Sequence, residues 1–245
     1  MQFSLSILAL AASILSVSAE LSHSHFHKRA HAKPLEKRAM VTANSKIQTL
    51  AADPSFTDAV EGRVAGMPFH NTLINNSTQS AKVYFWTGMH FAVPATVYNT
   101  NPAAPALIVD LPAGTSKVVS FTNNYSGAYA AIFPQTDIQA GGGFKTAWVE
   151  ITTSGITPVV DVSMLPDMSS KWVAVETDGC ISDVTSCSYQ CNDGSSSCWT
   201  APTCQLMNCP SGPHTIYDAG PNGAGPWNGG CRVSPTFTTT FSSPS

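Results

Sequence analysis

Three carboxylates, Glu150, Asp161 and Asp167, fall within eighteen positions in the stretch TAWVEITTSGITPVVDVSMLPD, which runs from Thr146 to Asp167. Only 11% of the chain is charged, so the cluster stands out against its surroundings. Paired carboxyl groups can cleave a glycosidic bond. One is protonated and acts as general acid, the other acts as base or nucleophile, and their separation decides between retention and inversion. Apolar neighbours raise a carboxyl pKa by desolvation, and Glu150 sits beside Trp148 and Val149. Hydrolysis would therefore use Glu150 as the acid and Asp161 as the base. Two milder roles stay open. Glu150, Asp161 and Asp167 could bind a ligand without turnover, or accept loop amide hydrogen bonds and fix turns.

Aromatic side chains supply the second saccharide signal, because sugar rings pack their C–H faces on indole. The chain has Trp86, Trp148, Trp172, Trp199 and Trp227. Aromatics within strands belong by default to a core. Trp199 and Trp227 lie in Ser- and Gly-rich stretches and are the expected ligand-binding pair. There is no Gly-x-Ser-x-Gly elbow and no His-Glu-x-x-His zinc motif, and His70, His90 and His214 are scattered. His23, His25, His27 and His31 could bind a transition metal but fall in a segment that reads as excised. Neither Glu20 nor Ala39, the expected mature N-termini, is the histidine that a copper polysaccharide oxidase needs. No metal and no cofactor are expected.

The elements that must position these groups are strands. KVYFWTG, ALIVDLPAG, SKVVSFTNN, GAYAAIF, TAWVEIT and VVDVSML recur every 10 to 15 residues, rich in β-branched and aromatic types and broken by Gly, Pro and Asn. That spacing predicts an all-β sandwich. A helical period appears only in IQTLAADPSFTDAVEGRV. The element from Asp110 to Gly114 reads as a turn.

The first 19 residues have the apolar core and small-residue end of a secretory signal, and 20–38 read as a pro-segment with Lys28-Arg29 and Lys37-Arg38 as processing sites. The expected organisation continues with a lead-in at 39–63, a sandwich core at 64–179, a Cys-rich region at 180–231 and a Ser/Thr-rich tail at 232–245. From Ala39 onward there are 7 basic and 13 acidic residues, a net charge of −6, which repels nucleic acid and anionic lipid. No stretch after the signal has the roughly 20 apolar residues of a membrane span. Secretion or retention in a cell wall is expected, with oligomeric state left open.

All seven cysteines, Cys180, Cys187, Cys191, Cys198, Cys204, Cys209 and Cys231, fall in one window, the mark of a disulfide framework in an oxidising route. Seven is odd, and sequence leaves the pairing open. That window holds few apolar residues, so it reads as a stapled excursion beside the sandwich. Glycosylation sequons stand at Asn75, Asn76 and Asn124.

On these residues the chain resembles the thaumatin-like superfamily, and in particular its small secreted fungal branch. Glu150 takes the place of the acid in the family's Ala-Glu-Phe-Thr strand, Asp161-Val162-Ser163 that of the following Asp-Val-Ser strand, and Met164 to Asp167 the step beyond. LPAGTSKVVSFTNNYSGAYAAIF and AKVYFWTG resemble the strands upstream. The resemblance covers roughly Val64 to Cys209 and implies an acidic cleft that binds β-1,3-glucan and in some members weakly hydrolyses it. Several features depart from the family. The Arg expected in GAYAAIF is absent, Met168-Ser169-Ser170 replaces Gly-Phe-Asn, and the Asp161–Asp167 interval is one residue longer. The fourth acid has only Asp183, Asp193 and Asp218 as stand-ins. The family's N-terminal Cys is missing, which makes Cys231 the leading candidate for the unpaired thiol. The resulting expectation is a wall-associated protein that binds β-glucan or another wall polysaccharide with little or no catalysis. An endo-β-1,3-glucanase and a secreted effector without saccharide binding are the alternatives.

Overall fold

The computed structural model describes residues 57–87, 105–137, 144–153, 157–170, 172–196, 204–219 and 226–242. They form two mixed sheets with no helix among them. The six-stranded sheet contains β1 (Ala59–Glu61), β2 (Phe69–Asn75), β5 (Ser116–Phe121), β9 (Val173–Thr177), β10 (Cys180–Asp183) and β15 (Thr236–Phe241), in the order β1-β5-β2-β15-β9-β10. The nine-stranded sheet contains β3 (Ala81–Thr87), β4 (Leu107–Leu111), β6 (Ser126–Ile132), β7 (Trp148–Thr152), β8 (Val159–Ser163), β11 (Ser188–Cys191) and β12 (Cys204–Met207). Their order is β12-β11-β8-β7-β6-β3-β4, and β13 (Thr215–Ala219) joins through β14 (Pro226–Arg232), which pairs β8.

All six strands expected between Lys82 and Leu165 are present as β3 to β8. Their period-2 alternation sends Val83, Phe85, Val109, Leu111, Tyr129, Val149 and Ile151 into the space between the sheets. There they meet Leu73, Val119, Phe121, Phe237 and Phe241 of the six-stranded sheet. Phe85 and Tyr129 stack with ring centroids 4.9 Å apart. A fully buried Leu or Phe of this kind contributes about 2–3 kcal/mol.

The sandwich extends past its expected limits at both ends. The described part of IQTLAADPSFTDAVEGRV holds strand β1, paired to β5, and not a helix. The Ser/Thr-rich tail supplies β15, parallel to β2 and antiparallel to β9. Its Phe237, Thr239 and Phe241 alternate inward, and the β-branched threonines suit a pleated surface. The Cys-rich region is woven in as well, giving β10 to one sheet and β11 to β14 to the other. Cys231 is bonded to Cys180, which links β14 to β10 across the two sheets. This corrects the expectation that Cys231 is the odd thiol. The pairing follows from strand positions that spacing does not reveal. Cys187 pairs with Cys209, and Cys191 is also disulfide-bonded. Cys204 is buried opposite Cys191 in the β11–β12 pairing, and Cys198 lies outside the described residues.

Candidate functional site

β7 and β8 are neighbours in the middle of the nine-stranded sheet and are buried along their whole length. Their antiparallel register sets Glu150 directly opposite Asp161. Side chains opposite one another in such a pair have Cβ atoms about 5 Å apart, so the two carboxyl groups are obligatory neighbours. Val149 and Ile151 turn toward the inter-sheet core, so Trp148 and Glu150 turn to the other face. That outer face is aromatic. Tyr84, Trp86, Phe144 and Trp148 cluster there with Ala128, Ala130 and Ile132. Tyr84 stacks on Trp86 at 5.9 Å, and Phe144 lies 5.8 Å from Tyr84. One row across the sheet reads Trp86, Ala128, Glu150, Asp161.

Asp161 occupies a fork. β14 pairs with β8 at Val159 and Val160, while β11 pairs with it at Val162 and Ser163. Asp161 is the residue where one partner gives way to the other. Gly230 of β14 lies beside it at φ +136, and a Cβ there would stand 2.5 Å from the Val160 carbonyl oxygen and 3.0 Å from the Asp161 Cβ. Only glycine tolerates both the backbone conformation and the approach.

Glu150 is 2% exposed and Asp161 0%. The Trp148 indole Nε1–H donates to Glu150 Oε1 at 3.0 Å. Burial, and then the neighbouring Glu150 carboxylate, pushes the Asp161 carboxyl well above the ordinary carboxylate range. Two carboxyls set opposite each other and this desolvated oppose each other's ionisation, so their titrations are linked.

Asp167 plays a different part. It lies in the turn after β8, where its Oδ1 accepts hydrogen bonds from the Ser169 amide at 3.0 Å and the Ser169 hydroxyl at 2.6 Å. That turn is tied back to β7 by the Ala147 amide, which donates to Ser170 Oγ at 2.8 Å. Asp183 accepts from Thr185 and Ser186, and the exposed Asp193 accepts from Ser195, which lowers its pKa. These three carboxylates have the turn-fixing role. Trp227 falls in β14, of which only the backbone is described at that position, and Trp199, His90 and the side chain of Asp218 lie outside the described residues. Sequence reasoning gave in-strand aromatics such as Trp86 and Trp148 to a core by default, and both are buried, in the apolar cluster on the outer face beside the acids. The even spacing of Tyr84 and Trp86, and of Trp148 and Glu150, is the signal that could have placed them there.

His70 is satisfied locally, with Nδ1 2.8 Å from Ser120 Oγ. Among the sequons, Asn75 is buried, whereas Asn76 and Asn124 are exposed.

The family model described as the Allergen Asp f 4-like domain matches residues 59–205, which contain the acid pair and most of both sheets. No curated protein matches the chain. Among solved structures, the protein elicitor MoHrip2 from Magnaporthe oryzae aligns over 71% of this chain and 98% of its own at 10% identity, with a TM-score of 0.35. A likeness that distant carries no argument about activity.

Proposed function

The chain belongs to the family of Allergen Asp f 4-like domains, and from that premise we propose a secreted, wall-associated protein that holds β-1,3-glucan over an acidic floor without hydrolysing it. The observation that carries this reading is the meeting of Glu150 and Asp161 on the aromatic outer face of the nine-stranded sheet. Carboxyl oxygens accept hydrogen bonds from sugar hydroxyls, and indole and phenol rings accept the C–H faces of pyranoses. These are the same acids that the thaumatin-like resemblance would place in a glucan cleft. Secretion is consistent with the disulfides, one of which, Cys180–Cys231, joins the two sheets. The departures from the thaumatin-like pattern argue against turnover, since GAYAAIF lacks the Arg that completes the acidic cleft and Met168-Ser169-Ser170 stands in place of Gly-Phe-Asn. Glu150, Asp161 and the rings beside them are at most 5% exposed, so glucan reaches them only when that face is uncovered.

An endo-β-1,3-glucanase is the second reading, favoured by the raised pKa of Asp161 beside Glu150, which would make Asp161 the acid where the sequence suggested Glu150. An interaction protein without saccharide binding is the third. Ile181, 49% exposed on the edge strand β10 beside a groove of about 420 Å³, favours it.

One assay separates the three. The purified protein is incubated with insoluble β-1,3-glucan, and retention and new reducing ends are measured in the same tube. The proposal expects retention without release, and Glu150→Gln weakening retention about tenfold, the worth of one charge-assisted hydrogen bond. Sugar release abolished by Glu150→Gln would promote the glucanase. Neither retention nor release would leave the interaction protein.

A further inference from the structure

We propose that the protein carries N-linked glycans at Asn76 and Asn124 and that the overlapping acceptor at Asn75 stays bare. The inference depends on passage through a secretory compartment but not on glucan binding. The segment Asn75-Asn76-Ser77-Thr78 contains two acceptor triplets in adjacent frames, one completed by Ser77 and the other by Thr78. Sequence cannot choose between them. The strand does.

β2 alternates, turning Asn71, Leu73 and Asn75 inward. Asn75 is 0% exposed. Its Nδ2 donates toward three carbonyl oxygens, those of Gln79 at 2.8 Å, Leu111 at 2.9 Å and Pro112 at 3.2 Å. Its Oδ1 accepts from the Ser77 hydroxyl at 2.7 Å. This amide fastens the turn after β2 to the turn after β4, and both of its hydrogens are used. A glycan on Nδ2 would remove one donor and demand space where the side chain has none. Oligosaccharide transfer precedes folding, so a chain modified at Asn75 could not seat β2.

Asn76 is one residue on and faces the other way. Its side chain is exposed, while its backbone N–H donates to the Phe241 carbonyl at 2.7 Å, so the attachment point is anchored. Thr78, which completes this triplet, is also exposed. Asn124 is exposed in the turn between β5 and β6, its N–H donating to Thr122 Oγ1 at 3.2 Å. The next residue, Tyr125, is buried and anchored through its hydroxyl to the Trp86 carbonyl at 2.8 Å.

The transfer balances without a redox partner. Nδ2 of the asparagine attacks the anomeric carbon of a lipid-linked oligosaccharide pyrophosphate. The carbon–oxygen bond breaks, the pyrophosphate leaves with its electron pair, and the amide gives up one proton. β2 and β5 run antiparallel, with Phe69 opposite Phe121 and Ile74 opposite Ser116. Asn76 therefore lies past one end of the β2–β5 register and Asn124 past the other, with five residue steps, about 16 Å of strand, between those ends.

The test uses the full chain made in a eukaryotic secretory host and recovered from the medium. Enzymatic release of glycans in heavy-oxygen water marks each asparagine that carried one, and peptide mass spectrometry reads the marks. The expected map is Asn76 and Asn124 marked and Asn75 unmarked. Thr78→Ala destroys the Asn76 acceptor but keeps that of Asn75, and should cost one glycan with none gained. Ser77→Ala destroys only the Asn75 acceptor, and the glycan count should not change. A mark at Asn75 in the wild type or in Thr78→Ala would overturn the proposal. So would unmodified Asn76 or Asn124 in protein taken from the medium.

Discussion

Two buried polar clusters lie on opposite faces of the nine-stranded sheet, and they are built on different principles. Between the sheets, Asn71 of β2, Thr239 of β15 and Tyr129 of β6 form a closed neutral network. Asn71 Nδ2 donates to the Tyr129 hydroxyl at 2.9 Å and to Thr239 Oγ1 at 3.0 Å, and Thr239 Oγ1 donates back to Asn71 Oδ1 at 3.1 Å. Tyr129 and Thr239 are 2.7 Å apart. All three residues are 0% exposed, and each polar atom meets a complementary one, so the network joins the two sheets without burying charge. On the outer face, Glu150 and Asp161 place like-signed groups side by side in an equally dry setting. Such an arrangement opposes folding wherever it ionises. A fold that needed only a cross-strand link at that position would do better with two threonines. The neutral cluster is explained by the fold. The acid pair is the cluster on which the proposed site rests.

Substitutions can break that contrast from either side. The largest effect is expected from Gly230→Ala, which combines a disfavoured φ with contact against Val160 and Asp161, about 3 kcal/mol of lost stability in denaturant titration. Asn71→Ala leaves buried hydroxyls short of a partner and should cost about 2 kcal/mol, equally at pH 4 and pH 8 because nothing in that network titrates there.

Asp161→Asn should instead reveal itself through pH. The folded pair keeps its proton at pH values where the unfolded Asp161 has lost it, so wild-type stability falls as pH rises above roughly 4, by about 1.4 kcal/mol per unit for one proton. The variant loses that slope and gains on the wild type toward neutral and alkaline pH, as thermal melts across the range would show. A slope that survived the substitution would mean that the acids titrate separately. The smallest effect is expected from Trp148→Phe. It removes the donor to Glu150 Oε1 while keeping an aromatic ring, costs about 1 kcal/mol, and moves the pair's proton release to still higher pH.

Much of this was legible in the residues. The β-branched runs located six strands, most firmly β6, β7 and β8, because a strand buried on both faces has little freedom in composition. Glu150 and Asp161 stood out because two consecutive strands each carried one acid amid apolar neighbours. Other features depended on long-range pairing. Asp167 resembled the other acids by proximity in sequence, yet the turn geometry around Ser169 claims it. The β15 strand was hidden in a Thr-rich tail whose inward Phe237, Thr239 and Phe241 show only once the parallel partner β2 is known. The Cys180–Cys231 bond joins residues 51 apart because β10 and β14 meet across the sandwich, which no spacing rule discloses.

The most direct test of the acid pair is a carbon-detected NMR titration of the Glu150 and Asp161 side-chain carboxyls in the folded protein. The account predicts that the two move together and that one proton remains between them through neutral pH. Two independent transitions, both in the ordinary carboxylate range, would contradict it, because they would mean that the groups are open to water and not coupled across the β7–β8 pairing.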